Sequence, residues 1–192
     1  MKYSTVITGF VVLFAACTDA QQNPMQDEQA LTVQGAELAA QFVGTLLPTL
    51  QQAMQAGGPV NGIEVCALQA PAIAQALSEQ SGWQVKRVSL KPRNQELAVA
   101  DAWETSVLQE FDQRQQAGEA PAQINKAEVV AGEFRYMQAQ AAGPLCLTCH
   151  GTEIPSEVSE ALARHYPDDM ATGYLAGQIR GAISLRAPSH QR

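Results

Sequence analysis

The sequence predicts an α+β domain in which helices come first and later strands form an antiparallel sheet. Hydrophobic residues recur every three to four positions over residues 31–56, as in an amphipathic helix. Segments that favour strands follow only after residue 82. The 192 residues are enough for one domain, and a hydrophobic fraction of 46% excludes a disordered polyelectrolyte. The net charge of −7 gives no electrostatic reason to bind nucleic acid.

The helical half contains strong helix-breaking residues. Gly57-Gly58-Pro59 should end the first helix. The Ala-rich stretch 61–80 is also helical in character, but Pro71 lacks the N–H that a helix interior requires. We therefore expect one short helix before Pro71 and a second that starts near it. Asp101 should cap a further helix.

Strands and loops alternate in the second half. The segments that favour strands are 83–90, 128–138 around Gly132, and 179–185. We expect residues 118–125 and 143–154 to be irregular, and Pro155 to start a short helix that ends near His165.

The N-terminus has the features of an export signal. The apolar run 6–16 is too short to span a bilayer about 30 Å thick. Two small residues before Cys17 resemble the lipobox of bacterial lipoproteins, so we expect residues 1–16 to be removed and Cys17 to be lipidated. The alternative is an ordinary signal peptide with a chance cysteine. If Cys17 is lipidated, the polar stretch 17–30 is a flexible tether on the periplasmic side of the envelope. By analogy with the sorting of Gram-negative lipoproteins, Thr18 after the lipidated cysteine favours the outer membrane.

The segment Cys146-Leu147-Thr148-Cys149-His150 is the C-x-x-C-H pattern of haem attachment. Two thiols form thioethers with the two vinyl groups of haem, and the two-residue gap lets both sulfurs meet one edge of the macrocycle. The next residue then lies beneath the iron, where an imidazole is a ready axial ligand. We expect one haem c, bound covalently by Cys146 and Cys149, with His150 on the iron.

Two other chemistries use paired cysteines. A zinc site needs four ligands, and only unpaired residues could complete one here, namely Cys66, His165 and His190. A thioredoxin-like pair should open a helix after a strand in a βαβ unit, whereas a loop is expected before Cys146.

The sixth ligand of the iron is not fixed by spacing. The candidates are Cys66, Met137, Met170, His165 and His190, and Met54 should lie far from the motif. Each candidate has an ordinary alternative, since buried cysteine and methionine often serve only as packing.

Several segments together resemble a family of single-haem c-type domains with a PAS-like fold, found in periplasmic sensor regions and as free-standing proteins. The matching segments are EVC at 64–66, APAIA at 70–74, RVSLKPRN at 87–94, DAWE at 101–104, EFRYM at 133–137, CLTCHG at 146–151, YPD at 166–168, and GY with IRGAIS within 173–184. The resemblance covers residues 31–187 and leaves 188–192 as a tail. It implies a PAS-like antiparallel sheet with N-terminal helices and a His/Cys axial pair, His150 and Cys66.

Arginines could bind the haem propionates, because a guanidinium can hold a carboxylate with two hydrogen bonds. The candidates are Arg87, Arg93, Arg135 and Arg180. The alternative for each is a solvated surface charge.

These features predict an exported monohaem protein with one-electron redox activity, used in electron transfer or redox sensing. The alternative is a haem-based gas or redox sensor that signals through a partner protein. The expected partners are haem, the membrane through the lipid anchor, and a redox or signalling protein. We do not expect an enzyme, because no acid–base cluster accompanies the motif and two protein ligands leave no open iron position.

Overall fold

The computed structural model describes residues 24–188. The helices are α1 (Pro24–Ser81), α2 (Ala102–Gln116), α3 (Pro144–His150) and α4 (Ser156–His165), and the strands are β1 (Gln84–Val88), β2 (Asn125–Val130), β3 (Glu133–Ala141) and β4 (Ile179–Arg186). The expected signal peptide, Cys17 and His190 lie outside the described residues. Among the helices of the described part, none has the length and apolarity that crossing a membrane requires.

Helix α1 consists of two arms that meet at Gly57 and Gly58, where the backbone leaves helical geometry. We call residues 24–56 the first arm and residues 59–81 the second arm. Gly58 has φ +71°, which glycine adopts readily. The second arm continues without a break through Pro71, so the expected division there was wrong. The first arm begins at Pro24, which makes the described end of the expected tether helical.

The sheet is antiparallel throughout and has the strand order β1-β4-β3-β2. A two-residue turn, Ala131-Gly132, joins β2 to β3, and both residues have positive φ, as a type I′ turn requires. Strand β4 lies between β1 and β3. This architecture confirms the predicted α+β class with an antiparallel sheet.

Helices cover both faces of the sheet. The arms of α1 pack on one face, where Phe42 and Tyr136 are almost fully buried. Helix α2 packs on the other face, where Phe111 contacts a cluster that includes Met137. Alternate side chains of β3 therefore point to different cores, as strand geometry dictates.

The C-x-x-C-H motif lies on the short helix α3, not in an irregular segment as expected. Pro144 occupies the first turn, where its missing N–H costs little and its fixed φ favours a helix. One helical turn brings Cys146, Cys149 and His150 to the same side, because residues three and four apart are neighbours on a helix. Strand β3 precedes α3, but β3 and β4 are antiparallel neighbours, so the thioredoxin-like βαβ arrangement is not formed.

Candidate functional site

A cavity of about 490 Å³ lies among the two arms of α1, strand β1, helix α3 and residues 89–98. The motif residues Cys146, Cys149 and His150 line it, and so does Cys66 from the second arm. A cavity of this size is in the range of pockets that hold cofactors, about 300–1,000 Å³. The fold thus brings Cys66 to the same cavity as the motif, although the two are far apart in the sequence.

The ring of His150 is fixed by a hydrogen bond of 2.7 Å between its Nδ1 and the carbonyl oxygen of Ala171. Because a carbonyl only accepts, Nδ1 carries the proton and Nε2 keeps its lone pair. Burial, together with the charges of Arg180 and Arg93, lowers the pKa of His150 to about 2. The imidazole is therefore neutral and able to ligate a metal through Nε2.

Cys66 is half-buried on the second arm. Burial raises the pKa of the Cys149 thiol, and negative charge on Cys66 adds to this rise against the opposing effect of Arg93. Burial also raises the pKa of Tyr166, and Cys66 again adds to the rise. Cys66, Tyr166 and the motif residues line the same cavity.

Three further candidate axial ligands lie within residues 24–188, and none of them lines the cavity. Met137 is fully buried in the core beneath α2, while Met170 and His165 are exposed. Met54, in contrast, does line the cavity. The expectation that Met54 is remote was wrong, because the bend at Gly57-Gly58 turns the end of the first arm toward the second.

Two of the four candidate arginines line the cavity without a partner. Within residues 24–188, the guanidinium groups of Arg87 and Arg180 have no hydrogen-bond or ion-pair partner, and Nε of Arg180 is fully buried. Burial and the nearby Arg180 charge lower the pKa of Arg87 to about 10. Such a pair of cations has the chemistry of a carboxylate site.

The other two candidate arginines are bound by protein groups. Arg93 lines the cavity, but it pairs with Asp169 and donates to backbone carbonyls. Arg135 does not line the cavity. It pairs with Asp101 and Glu104 on the side of the sheet that α2 covers, and its guanidinium lies 4.3 Å from the centre of the Trp103 ring. We therefore no longer expect Arg135 to contact a propionate.

The loop after α4 supports the motif through backbone hydrogen bonds, and Tyr166 at the start of this loop is a cavity residue that the sequence analysis did not single out. Tyr174 donates its N–H to the carbonyl of His150 at 2.9 Å, and Gly173 donates to Gly151 at 2.9 Å. Tyr166, at the end of α4, lines the cavity. Its place in the matching segment 166–168 was the only sequence signal for it.

Within the part of the chain that the structure describes, no three side chains of His, Cys, Asp or Glu gather as a metal site would require. His165, one of the residues considered for a zinc site, is exposed on α4 and does not line the cavity.

A search among curated proteins found no match. Among solved structures, the fold is similar to the crystal structure of the cyanobacterial heme-protein Tll0287, with a TM-score of 0.61 and 22% sequence identity. The match covers 88% of this chain and 99% of that protein's chain. A family model described as Tll0287-like matches residues 13–188, so the chain belongs to the Tll0287-like family.

Proposed function

We propose that the cavity holds one haem, attached through thioethers to Cys146 and Cys149 and ligated on the iron by His150. The observation that carries the proposal is that both cysteines and the neutral His150 face one cavity of about 490 Å³. The similar solved protein is itself described as a heme-protein, which supports the same cofactor here.

The remaining wall fits the two chemistries of haem, an apolar ring and two carboxylates. Leu46, Leu50 and Ile63 supply apolar surface. Arg87 and Arg180 would hold the propionates, since they are cationic and have no partner among the described residues. The buried Nε of Arg180 is otherwise an unsatisfied donor, which is costly in a protein interior.

Cys66 is the proposed second axial ligand. It faces the same cavity from a different element than His150 and is close enough to influence the pKa of Cys149. A thiolate donates electron density strongly, so the reduction potential should be low compared with His/Met ligation. Met54 replaces Met137 and Met170 as the next candidate, because it alone of the three lines the cavity.

When bound, haem supplies reversible one-electron exchange. The protein would serve electron transfer or redox sensing within a PAS-like fold, and it would not be an enzyme. The export signal and the lipid anchor at Cys17 belong to the same proposal, since c-type haem is attached outside the cytoplasm. A periplasmic, lipid-anchored protein would meet its redox or signalling partner there.

A sensor is the second candidate, and the position of Cys66 favours it. The residue lies on the second arm, between the bend at Gly57-Gly58 and Pro71, which cannot donate a backbone hydrogen bond to the preceding turn. If ligation by Cys66 is lost on reduction or displaced by CO, this arm is the element that would respond.

The first experiment is to purify the matured protein and extract it with acid acetone. Thioether-linked haem stays with the chain, so extraction of the haem or its absence would refute the proposal. Ferric and ferrous spectra with and without CO, repeated for Cys66→Ser and Met54→Leu, then identify the second ligand. We expect Cys66→Ser alone to abolish a thiolate charge-transfer band. Unchanged ligation in the ferrous state indicates an electron carrier, whereas ligand loss or CO binding indicates a sensor.

A further inference from the structure

We propose that Arg93 is a positioning residue for His150, which holds the acceptor of its ring hydrogen bond and raises the reduction potential of the site. The proposal rests on the proposed haem function. It assigns to Arg93 a role different from propionate binding, and it follows from where the guanidinium lies in the described structure.

Arg93 connects three separate segments at the motif. It extends from the turn after β1, its Nε donates to Oδ2 of Asp169 at 3.1 Å, and both side chains are only 11% exposed. Its Nη2 donates to the carbonyl of Cys149 and, at 3.3 Å, to that of Ala171. The turn, the end of α3 and the 169–171 segment are thereby tied to one rigid, planar group.

The carbonyl of Ala171 is the important acceptor in this cluster. It accepts one hydrogen bond from Nδ1 of His150 at 2.7 Å and another from Nη2 of Arg93. Asp169 also accepts the N–H of Ala171 at 2.8 Å, which fixes the backbone on the other side of the same residue. The rotation of the imidazole, and with it the direction of Nε2, is set by a carbonyl that Arg93 and Asp169 hold in place.

The positive charge of Arg93 should raise the reduction potential in two ways. A cation on the Ala171 carbonyl makes this oxygen a weaker acceptor, so the Nδ1 proton stays on the ring and the imidazole donates less to the metal. Positive charge near the metal also disfavours the oxidised state directly. Both effects raise the potential, and Asp169 opposes them by neutralising part of the charge.

The test compares midpoint potentials of Arg93→Gln and Asp169→Asn in the matured protein. We expect Arg93→Gln to lower the potential and Asp169→Asn to raise it, because the first removes a positive and the second a negative charge. Loosened packing alone would shift both variants in the same direction, and that result would overturn the proposal. Arg164→Gln is the control, since Arg164 is exposed on α4 and its loss removes the same charge.

Hydrogen exchange provides a readout that needs no haem. The amides of Gly173 and Tyr174 donate to the carbonyls of Gly151 and His150. They should exchange faster in Arg93→Gln than in the wild-type protein. The Val85 amide in the sheet is the control and should exchange at the same rate in both. Unchanged exchange at Gly173 and Tyr174 would overturn the positioning role. If the unmodified protein released its haem in acid acetone, the proposed function would fail, and the exchange result would still decide whether Arg93 holds this loop.

Discussion

Glu104 shows how one buried carboxylate organises a helix end. It is completely buried and accepts hydrogen bonds from Lys86, from the hydroxyl of Ser184 and from the backbone N–H of Asp101. Asp101 in return accepts the N–H of Glu104 at 2.8 Å, which completes a capping box at the start of α2. Removing any one of these partners would leave part of the buried carboxylate without a hydrogen bond, which is strongly destabilising.

The pH dependence of stability tests this cap. Burial disfavours ionisation of Asp101, but hydrogen bonds from Arg135 and from the Glu104 N–H, with the Arg135 charge, outweigh it and lower its pKa below 3.8. The stabilisation is therefore present above pH 4 and is lost as the pH falls through the folded pKa. We expect Asp101→Ala to reduce the free energy of unfolding by about 1 kcal/mol at pH 7 and by less near pH 3, measured by urea denaturation.

The matched variant is Asp101→Asn, which keeps an acceptor for the cap but removes the charge. It should cost less than Asp101→Ala at pH 7. Equal losses for Asp101→Ala at both pH values would show that the carboxylate does not contribute through its charge.

At the scale of elements, the shape of α1 depends on Gly58. Its φ of +71° is in the left-handed region, and a Cβ built there would meet no atom within 4 Å. The cost of a side chain at this position would therefore come from the backbone alone. Asn61 reinforces the bend, since its Nδ2 donates to the carbonyl of Ala53 at 2.9 Å across it.

We expect Gly58→Ala to destabilise the protein by about 1–2 kcal/mol, because alanine is strained at positive φ. Gly44→Ala should instead stabilise it by up to about 1 kcal/mol, since Gly44 lies within the regular first arm with open space around it. Thermal and urea denaturation of both variants measure the difference. Two shifts of the same sign would contradict the bend.

Local signals in the sequence predicted local structure well. The cap at Asp101 and the strands around Gly132 follow from side chains and turns that act on their own neighbours, and the structure confirms them. The continuous helix through Pro71 could not be predicted this way. Other residues of this arm, such as Ala70 and Leu77, are buried in the core, and this burial opposes the cost of about 3 kcal/mol for proline inside a helix. Only the tertiary fold reveals it.

The candidate site also combines features that the local sequence predicts with features that only tertiary packing determines. The C-x-x-C-H pattern predicted that Cys146, Cys149 and His150 lie at one site, and all three line the cavity. It did not predict that Met54 lines the cavity or that Arg135 is bound elsewhere, because both depend on how distant segments pack. The four arginines looked alike in the sequence, and only their partners distinguish Arg87 and Arg180 from the other two.

At the scale of the whole molecule, the cavity is a gap between α1 and the sheet that small side chains keep open. Ala74 lines it from the second arm, whereas Ala72 on the same arm is exposed and does not. A larger side chain at either position alters the same helix, but only one at Ala74 would extend into the cavity.

We expect Ala74→Trp to reduce the amount of covalently bound haem several-fold, because the indole would occupy space that the cofactor needs. Ala72→Trp should bind haem normally. The measurement is the ratio of haem to protein after purification, with far-UV circular dichroism to show that both variants are folded. Normal haem content in a folded Ala74→Trp would contradict the proposed position of the cofactor.

The central place of β4 also has a consequence for biosynthesis. This strand pairs with β1 and β3 and carries Arg180, yet the ribosome makes it after every other strand of the described sheet. Until Ile179–Arg186 has been translated, β1 has no strand beside it and the cavity lacks one wall. The nascent chain therefore exposes both motif cysteines before it can enclose them. Pairing between strands that are far apart in the sequence slows folding. Both thiols therefore stay accessible until β4 has joined the sheet.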